Sequence, residues 1–133
     1  MTDDSGYAAK LEKTLQPLEC RLKMHSFSDE LAETQIHFQV LRMEQSFFVW
    51  IGISPPRFQN FAVAVQNRFD RQPLGSSLMG DLTDPSSSSL AYKLAKKTKK
   101  QVFVSCNVTS EASLLPLVEK RLFEEMKAFP DNF

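Results

Sequence analysis

Glycine is scarce in this sequence, with four residues in 133, at Gly6, Gly52, Gly75 and Gly80. Phosphate-cradling loops and dinucleotide-binding turns need several glycines at close spacing, because the backbone must approach the ligand closely. No stretch of this chain provides them, so both nucleotide-binding motifs are excluded. Gly52 stands inside a strand-like stretch, where a bulge or a close approach of the backbone is the usual reason for glycine.

Soft metal ligands and nucleophiles are also few: Cys20, Cys106, His25 and His37. No two of them have the spacing of a small zinc site. A catalytic Cys106 would need a nearby base and an accessible, electropositive setting. It alternates with two valines, which favours a buried thiol that packs as a small hydrophobe. We therefore expect no metal, no cofactor and no enzymatic activity. A thiol enzyme based on Cys106 is the alternative, which a thiol of ordinary pKa and low accessibility would exclude.

An excess of charge of either sign is absent, because sixteen basic residues balance sixteen acidic ones. No overall field attracts nucleic acid or an anionic membrane, so we expect neither as a partner. No apolar run approaches the length of about 20 residues that a membrane span requires. The polar N-terminus does not resemble a secretory signal, and two cysteines make no disulfide framework. These features predict a soluble protein of a reducing compartment.

Apolar residues, in contrast, are abundant: they make up 42% of the chain and include eleven phenylalanines. A chain of this length fits one domain with a real core. We assign residues 25–133 to this domain. Residues 1–24 are expected to form a weakly ordered or peripheral N-terminal extension, because Pro17 interrupts the short helical pattern there.

Alternation of apolar and polar residues predicts the strands, and apolar residues repeated every three to four positions predict the helices. Asp84 and Pro85 are typical of a helix start, as N-cap and first helical residue. The predicted strands are 21–27, 34–43, 46–53, 61–69, 76–79 and 101–107, and the predicted helices are 85–99 and one that starts at 110–113 and has Pro116 in its first turn. The connections before Asp84 are too short for parallel crossovers. The predicted fold class is therefore α+β, a mainly antiparallel sheet with two helices packed on one face.

Two helices can cover only one side of such a sheet. The almost purely apolar set of alternating positions, which we assign to the helix-facing core, comprises Ile36, Phe38, Val40, Phe47, Val49, Ile51, Phe61, Val63, Val65, Val102, Val104 and Cys106. The opposite set mixes large aromatic and polar side chains, which is typical of a protein–protein interface. We predict that this opposite face mediates dimerisation through His37, Gln39, Leu41, Phe48, Trp50, Gln66, Phe103 and Ser105.

Lysines concentrate near the end of the first predicted helix, at Lys93, Lys96, Lys97, Lys99 and Lys100. Most of them fall opposite the apolar stripe and also complement the helix dipole. A solvated face is the ordinary interpretation. A basic surface made by Lys93, Lys96 and Lys97 that contacts an acidic protein partner is the alternative.

Several segments resemble the proteasome assembly chaperone 4 family, in constant order from about His25 to Phe133. They are HFQVLRM at 37–43, SFFVWIG at 46–52, NFAVA at 60–64, LMGD at 78–81, LA at 90–91, LAKKT at 94–98, KQVFVS at 100–105 and EEMKAFP at 124–130. Two features differ from the family pattern: residues 1–24 are longer, and Cys106 stands where a tyrosine is expected. Neither receives a family role.

The resemblance implies a small chaperone without ATPase activity that pairs with proteasome assembly chaperone 3. Such a heterodimer guides proteasome α-type subunits into the α-ring of the 20S core particle and leaves before the particle is finished. The resemblance also implies a cytoplasmic location, with the nucleus as a second one. The isolated chain is expected to be a monomer or a homodimer. A small dimeric adaptor of another multiprotein complex is the alternative function.

Overall fold

The computed structural model describes residues 21–67, 69, 71–81, 84–108 and 114–133. Their elements, in chain order, are β1 (Lys23–Leu31), β2 (Thr34–Arg42), β3 (Ser46–Gly52), β4 (Phe61–Val65), β5 (Leu74–Met79), α1 (Ser86–Thr98), β6 (Gln101–Asn107), α2 (Leu114–Ala128) and a 3-10 turn (Pro130–Asn132).

One sheet contains all six of these strands, in the order β1-β2-β3-β6-β4-β5. Neighbouring strands are antiparallel except β3 and β6, which run parallel in the centre. A parallel pair needs a long crossover connection, and the chain between β3 and β6 includes β4, β5 and α1. The predicted α+β class, a mainly antiparallel sheet with two helices, is confirmed.

Both helices pack on the same side of the sheet, with α1 against β4, β5 and β6 and α2 against β1. The apolar stripe of α2 repeats every four residues, and Leu114, Val118, Leu122 and Met126 are all buried, as the periodicity predicts. Pro116 lies in the first turn of α2, where no hydrogen bond is lost. The predicted core positions on β2, β3 and β6 are fully buried.

The ends of some elements differ from the sequence prediction. β1 begins at Lys23 and extends to Leu31, so it starts inside the predicted extension. Residues 1–20 lie outside the described residues. Pro85 rather than Asp84 directly flanks α1, yet Oδ1 of Asp84 accepts a hydrogen bond from the N–H of Ser86 at 3.1 Å. The aspartate therefore still satisfies a donor of the first helical turn.

The prediction of which β4 side chains point towards the helices is wrong. Ala62 and Ala64 are buried on the helix side, where they pair with the core valines of β6, whereas Phe61, Val63 and Val65 lie on the other side. The pairing register with β6 determines which β4 side chains point towards the helices. A shift of one residue would move every side chain of the strand to the other face of the sheet. Two alanines also let α1, which contacts β4, approach the strand closely.

Candidate protein-interaction face

The side of the sheet opposite the helices, termed here the open face, is defined by strand register. Residues directly opposite each other on paired strands point to the same side. One row across the sheet comprises Met24, Leu41, Phe48, Phe103, Val63 and Ser76. A second row comprises Ser26, Gln39, Trp50 and Ser105, and a third comprises Ser28, His37, Gly52 and Asn107. The open face is thus mostly apolar along the first row and polar along the third.

An aromatic cluster occupies the centre of the open face. The ring of Phe61 stacks on Phe103 with centroids 5.8 Å apart, and it meets Phe48 edge-on at the same distance. Phe58, from the loop before β4, contacts both Phe48 and Phe61 at 6.2 and 5.4 Å. Such offset and edge-to-face pairs are favourable arrangements of aromatic rings. Because Phe58 is 50% exposed, the cluster still presents an apolar surface to solvent.

The loop of residues 53–60 folds back over one end of the open face. Nε1 of Trp50 donates a hydrogen bond to the carbonyl of Arg57 at 2.9 Å. Oδ1 of Asn107 accepts from the backbone N–H groups of Gln59 and Asn60, at 2.7 and 3.1 Å. These contacts tie the loop to β3 and β6, so Trp50 both lies on the open face and holds part of its rim.

Gly52 is not a bulge, since its pairing with both neighbouring strands is regular. The indole of Trp50, on the same side of β3, lies so close to Gly52 that it leaves no room for a side chain there. A Cβ atom at residue 52 would lie 2.5 Å from Cζ2 of the indole. The indole therefore covers the backbone that glycine leaves bare, a known way of protecting glycine in strands.

Eight residues were predicted for the interface, and register places seven of them together on the open face. His37, Gln39, Leu41, Phe48, Trp50 and Phe103 are half-buried or exposed. Ser105 is fully buried and its Oγ accepts a hydrogen bond from Nδ2 of Asn107 at 2.8 Å, so it is not accessible to a partner. Gln66 is half-buried and lies just after the end of β4, outside the paired strands whose register defines the open face.

A cavity of about 290 Å³ opens on the polar end of this face, between the 53–60 loop and the first two strands. Ser26, Gln39 and Trp50 are among the side chains that line it. Nearby, Oγ of Ser28 and Nδ1 of His37 lie 2.8 Å apart in a hydrogen bond. The face therefore combines aromatic bulk with polar groups that can fix the orientation of a bound surface.

Comparison with known proteins gives the same family as the sequence segments did. The family model described as Proteasome assembly chaperone 4 matches residues 35–108, more than half of the chain. Proteasome assembly chaperone 4 of Homo sapiens is 45% identical over 113 residues, which cover 84% of this chain and 91% of that protein. The chain belongs to the proteasome assembly chaperone 4 family. The protein of the same name from Mus musculus is 41% identical over 124 residues, covering 92% of this chain and 100% of that one.

A solved structure supports the fold assignment of this family member. A chain of the crystal structure of a novel chaperone complex for yeast 20S proteasome assembly superposes with a TM-score of 0.57 at 11% identity. The match covers 84% of this chain and 94% of the yeast chain. At this identity the likeness concerns the arrangement of strands and helices.

Sequence reasoning missed several residues of the open face in this family member. Phe61 and Val63 were assigned to the core because bulky apolar residues usually lie there. Phe58 stands in a proline-rich loop, where no alternation indicates a face. Exposed Met24 and Leu74 extend the apolar surface to both edge strands. Only the strand order could reveal that these residues meet.

The lysines of the predicted basic surface have different surroundings. Nζ of Lys93 forms an ion pair with Glu119 of α2 at 3.0 Å. Nζ of Lys97 lies 4.5 Å from the ring centroid of Phe123, a cation–π distance. Lys96 is exposed. Two of the three side chains therefore link the helices as well as facing solvent, and their contact with an acidic partner stays a prediction.

Cys106 is fully buried on the helix side of β6. Burial raises the pKa of its thiol to about 11. At neutral pH the thiol is therefore protonated, and the thiolate is the nucleophilic form. The interpretation as a small buried hydrophobe is confirmed, since the thiol lacks the accessibility that a nucleophile needs.

A polar cluster fastens β1 to α2. Nε2 of His25 and Oε1 of Glu125 are 2.8 Å apart, and Arg121 donates to Glu125 at 2.8 Å and to Asp29 at 2.9 Å. Burial alone would raise the pKa of Glu125, but hydrogen bonds from Arg121 and His25 outweigh it, so this pKa lies below its ordinary value. The guanidinium also lies 4.9 Å from the ring centroid of Phe27. The cluster thus joins an edge strand to a helix.

Two further findings concern the part of the chain that the structure describes. No group of three or more His, Cys, Asp or Glu side chains there is arranged to hold a metal ion. No helix there is long and apolar enough to cross a membrane.

Proposed function

We propose that this chain is a non-catalytic chaperone that promotes assembly of the proteasome core particle. In this proposal it pairs with proteasome assembly chaperone 3 through the open face, and the dimer guides α-type subunits into the α-ring. It acts in the cytoplasm, and also in the nucleus. Membership of the proteasome assembly chaperone 4 family supports the general role.

The observation that carries the proposal is the continuous apolar row on the open face. Met24, Leu41, Phe48, Phe103 and Val63 adjoin one another across five strands. Met24 is exposed and the other four side chains are partly buried, and a contiguous apolar surface on a monomer usually marks a binding site. Aromatic anchors in the centre with polar residues towards one end match the anatomy of a protein–protein interface.

Pairing through the open face requires no rearrangement of the monomer core. The fully buried apolar side chains of β2, β3 and β6 lie on the opposite side, against the helices. The same surface could also form a homodimer of the isolated chain, in which case proteasome assembly chaperone 3 would compete with self-association. A small dimeric adaptor of another complex would use the same face, so only the identity of its partners distinguishes it.

Affinity purification of the tagged chain from cells tests the function. We expect proteasome assembly chaperone 3 and α-type subunits to co-purify in half-assembled species, and the finished 20S particle to lack the chain. A matched purification of Trp50→Ala should recover much less of proteasome assembly chaperone 3. Recovery of a different complex, without α-type subunits, would favour the adaptor instead.

A further inference from the structure

A shallow basic groove lies on the outer surface of the two helices, on the far side of the sheet from the open face. Its cavity measures about 480 Å³, and its lining includes Lys97 of α1 and Lys120, Phe123 and Lys127 of α2. The α2 residues stand three and four positions apart, so they form one stripe of the helix. The buried stripe of Val118 and Leu122 faces the core instead.

Three lysines and two glutamates line the groove, which leaves an excess of one positive charge in a chain whose formal net charge is zero. Lys120 and Lys127 are exposed, and no ion pair joins either of them to a carboxylate among the described residues. Nζ of Lys97 is held over the ring of Phe123 at 4.5 Å. Glu119, in contrast, is already engaged by Lys93 at 3.0 Å. Three lysines and one aromatic ring therefore line the same groove, with the ammonium group of Lys97 over the ring.

This arrangement fits an extended peptide better than a phosphate backbone. Glu119 and Glu124 also line the groove, and they would repel a continuous row of phosphates. A peptide can place its carboxylates beside the lysines and away from these glutamates. Phe123 is only partly buried, so its ring offers an apolar contact as well.

We propose that this groove binds an acidic segment of a partner protein. Carboxylates of the segment pair with Lys97, Lys120 and Lys127, while one apolar side chain of the segment packs on Phe123. Of the basic surface predicted from sequence, Lys93, Lys96 and Lys97, only Lys97 lines this groove, where it is joined by two lysines of α2. The proposal concerns a surface separate from the open face and does not depend on dimerisation.

A nuclear magnetic resonance titration of the ¹⁵N-labelled full chain tests the proposal, with the peptide DDLDD as probe. We expect shift changes confined to amides around the groove, and binding that weakens as salt rises. The double variant Lys120→Gln/Lys127→Gln should bind at least fivefold more weakly. The matched control is Lys23→Gln/Arg71→Gln, which removes two exposed cations elsewhere and should bind like the wild type.

Two further probes separate the outcomes. DDSDD, which lacks the apolar side chain, should bind more weakly than DDLDD if Phe123 is contacted. An oligonucleotide of ten thymidines should bind more weakly still. The proposal is overturned if shift changes are absent or scattered, if both double variants bind alike, or if the oligonucleotide binds the groove as tightly as DDLDD.

Discussion

The indole of Trp50 lies over the backbone of Gly52, so that Cζ2 and Cη2 stand 2.5 and 2.6 Å from the point where a Cβ atom of residue 52 would be. Both distances are shorter than any ordinary carbon–carbon contact. Gly52→Ala should therefore displace the indole and strain its hydrogen bond to Arg57. Trp50 is the only tryptophan of the chain, so its fluorescence spectrum reports the displacement directly.

Gly75→Ala is the matched control for this prediction. A Cβ atom there would meet only ordinary contacts, the nearest at 3.7 Å from the carbonyl oxygen of Val63. We expect Gly75→Ala to leave the fluorescence spectrum and the binding of proteasome assembly chaperone 3 unchanged, whereas Gly52→Ala alters both. Equal behaviour of the two variants would mean that the indole is not held where the structure has it.

Truncation of Trp50 separates an interface anchor from a core residue. Trp50→Ala should cost at least about 2 kcal/mol of association with proteasome assembly chaperone 3, as aromatic hot spots do. The monomer should stay folded, because the helix-side core is untouched, whereas a core tryptophan would cost roughly 3–5 kcal/mol of folding stability. Calorimetric titration and thermal unfolding measure the two quantities. Normal pairing, or simple unfolding, would assign the interface to another surface.

The thiol of Cys106 should be inert in the folded protein. In a Cys20→Ser background, a thiol-specific reagent should label Cys106 slowly in buffer and rapidly in denaturant, because the pKa is raised to about 11 by burial. Cys106→Ala should retain assembly activity with a modest loss of stability. A well-folded Cys106→Ala protein without activity would show that the thiol has a functional role.

Acid should loosen the attachment of β1 to α2. Because the pKa of Glu125 is lowered in the folded protein, the carboxylate contributes stability above the unfolded glutamate pKa of about 4.3. That contribution is lost as pH falls through the lower folded pKa. Glu125→Gln should therefore be less stable than the wild type at pH 7, and the difference should shrink in acid. Glu124→Gln, its exposed neighbour, should show neither effect; similar pH curves for the two variants would contradict the assignment.

Sequence patterns predicted the strands, the helices and most of the open face, because alternation within one strand follows from local residue types. This alternation alone was enough to predict that Phe48 and Trp50 lie on the same side of β3. Alternation could not show which side of β4 points towards the helices. Ala62 is buried only because β6 inserts beside β4 and α1 lies above it. Phe58 and Asn107 were missed for a related reason: their contacts join the 53–60 loop to strands distant in sequence.

The most direct test of the proposed pairing compares two exposed apolar side chains on opposite surfaces. Phe58 on the open face is 50% exposed and Leu117 on α2 is 38% exposed, so a charge at either site should leave the fold intact. The measurement is the dissociation constant for proteasome assembly chaperone 3, with thermal unfolding as the check on folding. Phe58→Glu should weaken binding at least tenfold and Leu117→Glu should leave it unchanged. Unchanged binding by Phe58→Glu together with weakened binding by Leu117→Glu would contradict the account.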